Sequence, residues 1–214
     1  MVSSRSDATI SNFNTAIGAG ALFLNTGDGN TATGTGALFG NTTAINNTAT
    51  GTLALFSNTT GPGNTAIGVD ALFSNISGND NTAIGVGALA DNTTGAGNVA
   101  IGSGALINNV GNANTAVGNA ALSQNSTGSD NIALGGSAGF GVTTASNVIC
   151  IGITGANVNN SCFINNIRGQ TTLFNDATPV VIDSEGQLGT MSSSRRFKKE
   201  IQPMDKAQRS DSGA

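Results

Sequence analysis

Hydrophobic and polar positions alternate in short bursts along most of this chain, and the bursts recur at a nearly fixed spacing. The clearest copy reads Asn-Thr-Ala-Ile-Gly-Val-Asp-Ala-Leu-Phe, from Asn64 to Phe73. Its first five residues follow the two-residue period of a β-strand, with Asn, Ala and Gly on one face and Thr and Ile on the other. The pattern therefore predicts a short strand that ends where Gly68 lets the chain turn.

Versions of this unit occur eight times at intervals of 16 or 17 residues, and such a period predicts a solenoid. We expect an all-β, parallel β-solenoid whose coils stack in register about 4.8 Å apart. The asparagine that opens each unit is then predicted to form a hydrogen-bonded structural ladder along the stack. These asparagines are Asn14, Asn30, Asn47, Asn64, Asn81, Asn98, Asn114 and Asn131.

Small and apolar residues occupy constant positions after each opening asparagine. The third and eighth positions are always Ala, and the ninth is Leu in seven of the eight units. We expect Ile67 and Leu72, with their equivalents, to fill a thin core in which Leu closes over Ile. Asn58-Thr-Thr-Gly61 has the composition of a turn. The segment from Ala71 is too short to indicate a strand or a helical turn.

A phenylalanine follows the leucine in the first four units. We predict that these rings pack at a subunit or corner interface; the alternative is an adhesive stripe that faces a receptor. They are Phe23, Phe39, Phe56 and Phe73.

Charge is sparse and unevenly distributed. Only 9% of the residues are charged, and no Lys or Arg occurs between Arg5 and Arg168. A surface without cations cannot neutralise phosphates, so we expect no nucleic acid as a partner. No apolar run is long enough for a membrane span or, within the first ten residues, for a signal peptide. We expect no membrane insertion.

The residues that carry most catalytic and metal chemistry are rare. The chain contains no His, and the Asp residues of the repeats are scattered near predicted corners. We therefore predict no cofactor, no metal and no enzyme activity. Cys150 and Cys162 are predicted to be buried as small apolar residues rather than joined in a disulfide.

The repeated Asn-Thr-Ala-Ile-Gly of residues 64–68 resembles the Asn-Ser-Val-Ala-Ile-Gly repeat of YadA-type trimeric autotransporter adhesin heads. That resemblance covers roughly residues 10–152 and implies a left-handed β-roll with three chains side by side, which binds host surfaces. The present unit is slightly longer, and we expect no membrane-anchor domain like that of those adhesins. The thin core also favours a homotrimer, because burial against identical neighbours would add to the stability of the coil.

The unit is also similar to repeats of phage-type tail fibres, and the C-terminal part strengthens that likeness. Residues 192–207 resemble the start of the self-cleaving intramolecular chaperone domain of tailspikes and tail fibres. In that family a Ser and a Lys five residues later form the cleavage pair, a spacing that Ser193 and Lys198 match. Ser194 stands where the family has Asp, and the chain ends seven residues after Ala207. We therefore expect a truncated, flexible basic tail without self-cleavage.

These observations divide the chain into four segments. Residues 1–9 are a lead-in, 10–152 the solenoid, 153–191 a short β-rich neck and 192–214 the chaperone remnant. After the last full coil, Val148-Ile-Cys-Ile-Gly152 is predicted to be a strand buried on both sides, because it has no polar face. Pro179-Val-Val-Ile-Asp183 and Gln187-Leu-Gly-Thr190 predict a hairpin with Gly186 in its turn.

The predicted function is that of a structural and adhesive fibre segment at a cell surface or virion, outside the cell. Its expected partners are copies of itself and a host glycan or protein receptor. One alternative is a tailspike that degrades glycans, which requires paired carboxylates that the repeat positions do not supply. Another is an ice-binding solenoid, although Thr-x-Thr pairs occur only at Thr31/Thr33 and Thr48/Thr50. A hexapeptide acyltransferase needs about three hexads per coil and a catalytic His, whereas each coil here has one hexad and the chain has no His. A calcium-binding β-roll needs Gly-Gly-x-Gly-x-Asp repeats, which the scattered Asp residues do not form.

Overall fold

The computed structural model of the chain describes residues 13–167, 180–182 and 188–190. Within these residues it contains twelve short strands and no helix. Ten of the strands form one sheet in which each strand pairs with the next along the chain. They are β1 (Thr15–Ile17), β2 (Thr31–Thr33), β3 (Thr48–Thr50), β4 (Thr65–Ile67), β5 (Thr82–Ile84), β6 (Val99–Ile101), β7 (Thr115–Val117), β8 (Ile132–Leu134), β9 (Val148–Ile151) and β10 (Ser161–Ile164).

All pairs in this sheet are parallel, and like positions pair with like. Ala66 lies opposite Ala83, and Ile67 opposite Ile84. Across the eight units the partners are 16 or 17 residues apart, which places one strand in each coil. The chain is therefore a parallel β-solenoid of about nine turns, and the predicted fold class is confirmed at that level.

The inward face of the sheet carries alanine rather than isoleucine. Ala66 and Ala83 are completely buried, whereas Ile67 remains 41% exposed on the opposite face. The alternation was predicted correctly, but the assignment of Ile67 to the core is wrong. The interior is too thin for a branched side chain from the strand, because Leu72 already reaches into it from the following turn.

The segment from Ala71, which the sequence could not assign to a strand or a helical turn, is a turn in the structure. Leu72 is fully buried, with a φ of 54°, and the equivalent leucines of the other units have φ values between 51° and 53°. A left-handed conformation costs a non-glycine residue about 1–2 kcal/mol. The coil-to-coil hydrogen bonds hold it there: Leu72 donates its N–H to the carbonyl of Ala88 at 3.0 Å.

The glycine that ends each strand allows neighbouring coils to approach closely. Gly68 has a φ of 133°, and a Cβ built on it would lie 2.5 Å from the carbonyl oxygen of Gly85. Its own N–H donates to the carbonyl of Thr50 in the coil below at 2.8 Å. The invariant glycine is therefore required both by its backbone conformation and by the lack of space.

The sheet continues beyond residue 152, where the sequence placed the end of the repeats, because β10 pairs with β9. Residues of β9 alternate: Val148 and Cys150 are buried, while Ile149 and Ile151 face outwards. The expectation that this strand is buried on both sides is wrong. The expectation was wrong because the strand has no polar residue on its outer face and therefore resembles a core strand in sequence. The pleat of the strand nevertheless exposes every second side chain.

A second compact unit comprises residues 169–214, of which only two short strands are described. These are β11 (Val180–Ile182) and β12 (Leu188–Thr190), and they pair antiparallel with Val180 opposite Thr190. This is the pairing expected of the predicted hairpin. Its turn at Gly186, like the tail from residue 192 onwards, lies outside the described residues.

Candidate functional site

The opening asparagines form a ladder along the inside of the stack. In its middle, the backbone N–H of Asn81 donates to Oδ1 of Asn64 at 3.0 Å, and Nδ2 of Asn81 donates to the same oxygen at 3.1 Å. Asn98 repeats both contacts with Oδ1 of Asn81. The side chain of Asn81 also donates to the carbonyl of Gly95, at 2.8 Å. Each interior amide of this kind bridges three coils.

The ladder includes all eight predicted asparagines. Asn14, at the foot, is half-buried and accepts from the N–H of Asn30 at 2.7 Å, whereas the other seven are fully buried. At the upper end Asn131 accepts from the N–H of Val148 at 2.9 Å. Val148 occupies the asparagine position of the next coil, so the ladder ends where a side chain without an amide replaces asparagine. The full set is Asn14, Asn30, Asn47, Asn64, Asn81, Asn98, Asn114 and Asn131.

A second ladder runs beside the first and was missed by the sequence reasoning, which read this position as turn composition only. Nδ2 of Asn75 donates to Oδ1 of Asn58 at 2.7 Å and to the carbonyl of Gly78 at 2.9 Å. The recurrence of asparagine twelve residues into seven units was the available signal. Its members are Asn25, Asn41, Asn58, Asn75, Asn92, Asn109 and Asn125.

The second ladder is interrupted at two points, and both have a cause in the sequence. In the shortened coil, Nδ2 of Asn109 turns to the carbonyl of Gly111 at 2.8 Å, which leaves Oδ1 of Asn92 without a partner. Oδ1 of Asn125 also lacks a partner, since the next coil carries Val142 at the asparagine position. An unpaired buried acceptor costs about 1–3 kcal/mol, so these two coils are weak points of the stack.

The four N-terminal phenylalanines stack on one another within the chain. Successive ring centroids from Phe23 to Phe73 lie 5.1, 5.2 and 5.4 Å apart, with the rings within 13° of parallel. The rings thus form an intramolecular ladder on one corner. The sequence analysis did not consider that each ring could stack on the equivalent ring of the next coil. Their flat faces are covered by neighbouring rings, so mainly their edges are available to another molecule.

The two cysteines have different environments, and both are free thiols. Cys150 takes the place of the inward alanine and is buried, as predicted. Burial raises the pKa of its thiol, the nearby Cys162 raises it further, and a hydrogen bond with the backbone of Gly139 acts in the opposite direction. Cys162 is exposed on the outer face of β10, so the prediction that it is buried is wrong.

Two exposed columns of side chains follow from the regular stacking. The first, which we call the hydroxyl column, lies on the corner after the second ladder, where Thr42 and Thr59 donate their hydroxyls to carbonyls of the next coil at 2.9 and 3.0 Å. The residue that follows in each full-length coil points its hydroxyl-bearing side chain to solvent. The column consists of Thr43, Thr60, Ser77, Thr94, Thr127 and Thr144.

The second column, the apolar stripe, lies on the outer face of the sheet. Each of its seven residues sits opposite the next in the strand register, and each is 36–41% exposed. The stripe begins at Ile67 in β4, because Thr33 and Thr50 occupy the equivalent position in β2 and β3. The stripe consists of Ile67, Ile84, Ile101, Val117, Leu134, Ile151 and Ile164.

Other candidate chemistry is limited in the part of the chain that the structure describes. There, no three His, Cys, Asp or Glu side chains are grouped as metal ligands would be. Across the same residues no helix has the length and hydropathy required to cross a bilayer. Ser193 and Lys198, the pair with the spacing of a self-cleavage dyad, lie outside the described residues.

Comparison of the chain with protein-family models, with curated proteins and with solved structures gave no match.

Proposed function

We propose that the chain is a structural and adhesive fibre segment that presents a repetitive surface to a host glycan or protein receptor. In this proposal the solenoid is left-handed with coils of 16–17 residues. Three copies form a homotrimer outside the cell, at a cell surface or on a virion.

The observation that carries this proposal is the pair of interior asparagine ladders. They tie every coil to its neighbours through side-chain amides as well as through the sheet, and thereby fix the spacing of whatever the coils expose. A preorganised surface loses little conformational entropy when it binds a partner. Repetition along the stack adds avidity when the partner itself is repetitive, as cell-surface polysaccharides are.

The hydroxyl column is the best candidate for the adhesive face. Its side chains are exposed, while the neighbouring Thr42 and Thr59 hydroxyls already bond within the stack and hold the corner in place. The hydroxyl of Thr144 accepts from Nδ2 of Asn157 at 3.1 Å. A hydroxyl of the column without such a contact offers one donor and two acceptor positions, which suits the hydroxyl groups of a glycan. The exposed carboxylates of Asp80 and Asp130 lie on the same corner and disfavour an anionic partner.

Binding of the complete chain to host cells and to an array of neutral glycans tests the proposal. We expect saturable binding without release of oligosaccharide fragments. The double variant Thr60→Glu/Thr94→Glu is expected to weaken binding at least tenfold, roughly 1.4 kcal/mol, through lost hydrogen bonds and added charge.

Gln124→Glu, an exposed change on another corner, serves as the control and is expected to bind like the unmodified chain. Release of fragments from a host polysaccharide would contradict the proposal and favour a glycan-degrading tailspike. Unchanged binding by the double variant would remove the hydroxyl column as the adhesive face.

A further inference from the structure

The isoleucines that the sequence analysis assigned to the core lie at the surface, where they form a continuous line. From Ile67 in β4 to Ile164 in β10, every strand contributes one branched aliphatic side chain to the same line. Flanking positions extend it: Val69 and Val86 are 44% and 57% exposed on one side, and Ile132 is 40% exposed on the other. A continuous exposed apolar surface marks an interaction site more often than chance exposure does.

From this surface we infer that copies of the chain pack against one another through the apolar stripe, with their strands parallel and in register. The inference deepens the proposed fibre function, since it assigns the face through which the trimer forms. The partner is therefore a second copy of this chain rather than the host receptor.

The size of the face fits such an interface. Ten strands about 4.8 Å apart and five residues at about 3.3 Å each give an outer face of about 43 by 17 Å, on the order of 700 Å². A stable two-chain complex buries about 800 Å² on each partner, so this face has about the area of one such interface, and the flanking positions add to the area shared between two neighbours. No residue of the stripe is charged, and desolvation therefore costs little.

The pattern along the stripe favours parallel over antiparallel packing. Thr33 and Thr50 occupy the stripe position in β2 and β3, whereas Leu134 and Ile151 occupy it in β8 and β9, the strands that antiparallel copies would bring opposite them. Parallel copies in register place threonine beside threonine and isoleucine beside isoleucine. Antiparallel copies would instead bury the hydroxyls of Thr33 and Thr50 against Ile151 and Leu134, which leaves those hydroxyls without partners.

The width of the stripe favours three copies around one axis. It is a single line of side chains, and a line can converge on an axis shared by three chains, whereas two flat faces would require a broader apolar surface. Because every copy carries the same repeat of about 4.8 Å, the side chains of neighbouring copies interdigitate at each level of the stack.

Analytical ultracentrifugation of the complete chain tests the inference with two variants of one coil. Val117→Glu places a charge at the centre of the stripe, and Gln124→Glu places the same charge on an exposed corner. We expect the unmodified chain and Gln124→Glu to sediment as trimers at micromolar concentration. Val117→Glu is expected to sediment as a monomer with an unchanged far-ultraviolet circular dichroism spectrum.

Cross-linking of the unmodified chain gives a second readout that does not depend on the folding of a variant. Cys162 lies on the outer face of β10, so parallel packing brings its copies to the same level, while antiparallel packing puts them at opposite ends of the sheet. A short bismaleimide is expected to link two chains. Cys162→Ser should abolish that product, and Cys150→Ser should retain it.

A monomeric unmodified chain, a trimeric and folded Val117→Glu variant, or the absence of Cys162 cross-links would each overturn the inference. If the unmodified chain is monomeric and still binds host glycans, the adhesive function stands and the homotrimer proposed with it is wrong. If Val117→Glu instead loses glycan binding without any change in mass, the stripe is the receptor face.

Discussion

Substitution of Gly68 by alanine is expected to destabilise the solenoid by more than about 3 kcal/mol. A Cβ at this position would lie 2.5 Å from the carbonyl oxygen of Gly85 and 2.7 Å from its carbonyl carbon. These are backbone atoms of the next coil, so relief requires the coils to separate and their hydrogen bonds to lengthen. The φ of 133° adds a strain that an L-residue rarely accepts. Thermal and guanidinium denaturation monitored by circular dichroism measure the loss.

Gly104→Ala is the matched control for this substitution. Gly104 also has a positive φ, 65°, but a Cβ there would meet no heavy atom within 4 Å. We expect it to cost only about 1 kcal/mol, the price of the left-handed conformation. Equal losses for the two variants would show that backbone conformation alone, rather than the close approach of coils, explains the invariant glycine.

Substitution of Asn81 by alanine is expected to cost about 3–5 kcal/mol. The change removes the acceptor for the N–H and Nδ2 of Asn98, at 3.0 and 3.1 Å, and a donor to the carbonyl of Gly95. All of these groups are shielded from water, so no solvent molecule replaces the lost partners. Asn119→Ala, on an exposed side chain with a single contact of 3.4 Å, should change stability by no more than about 0.5 kcal/mol.

Asn81→Asp changes the hydrogen bonding and charge of this residue while keeping its volume nearly constant, so it distinguishes these effects from the effect of a cavity. An ionised carboxylate cannot donate to the carbonyl of Gly95, and no Lys or Arg occurs between Arg5 and Arg168 to compensate its charge. Burial is expected to raise the pKa of the new carboxyl above its unfolded value of about 3.9. The loss of stability should therefore be largest at neutral pH and shrink as the pH falls through that raised pKa. A loss that does not change with pH would contradict a buried position.

The repeat itself was sufficient to predict the parallel solenoid, because eight copies of one short strand can pair only with one another. The strand period also divided each unit correctly into two faces. The strand period did not indicate which face is inside. The two expectations of an interior asparagine ladder and of isoleucine in the core were also incompatible. Asn64 and Ile67 lie on opposite faces of the same strand, so an interior asparagine ladder forces the isoleucine outwards.

Hydrophobicity favoured the wrong choice for a physical reason. Isoleucine usually outranks asparagine in the interior, but here two conditions reverse the order. Every interior amide has partners supplied by the identical residue one coil away, which removes most of the cost of burial. The interior is also narrow, since Leu72 and Ala66 from opposite walls already fill it.

Features that depend on contacts between coils were harder to infer. The second ladder looked like ordinary turn composition, because asparagine and glycine, as at Asn58 and Gly61, are typical turn residues. The exposure of Cys162 depends on its register with β9, which no repeat copy specifies after the coil shortens. Ser193 and Lys198, together with the rest of the chaperone-like segment, lie outside the described residues.

Hydrogen exchange of asparagine side-chain amides, followed by nuclear magnetic resonance, tests most directly whether the asparagine face is the interior of the stack. Thirteen asparagines in the described residues are fully buried, among them Asn64 and Asn81. Their Nδ2 protons are expected to exchange as slowly as the backbone amides of the adjacent strands, while those of the exposed Asn119 exchange rapidly. Exchange of the Asn64 and Asn81 side chains at the rate of Asn119 would contradict the ladders and, with them, the outward placement of the isoleucines.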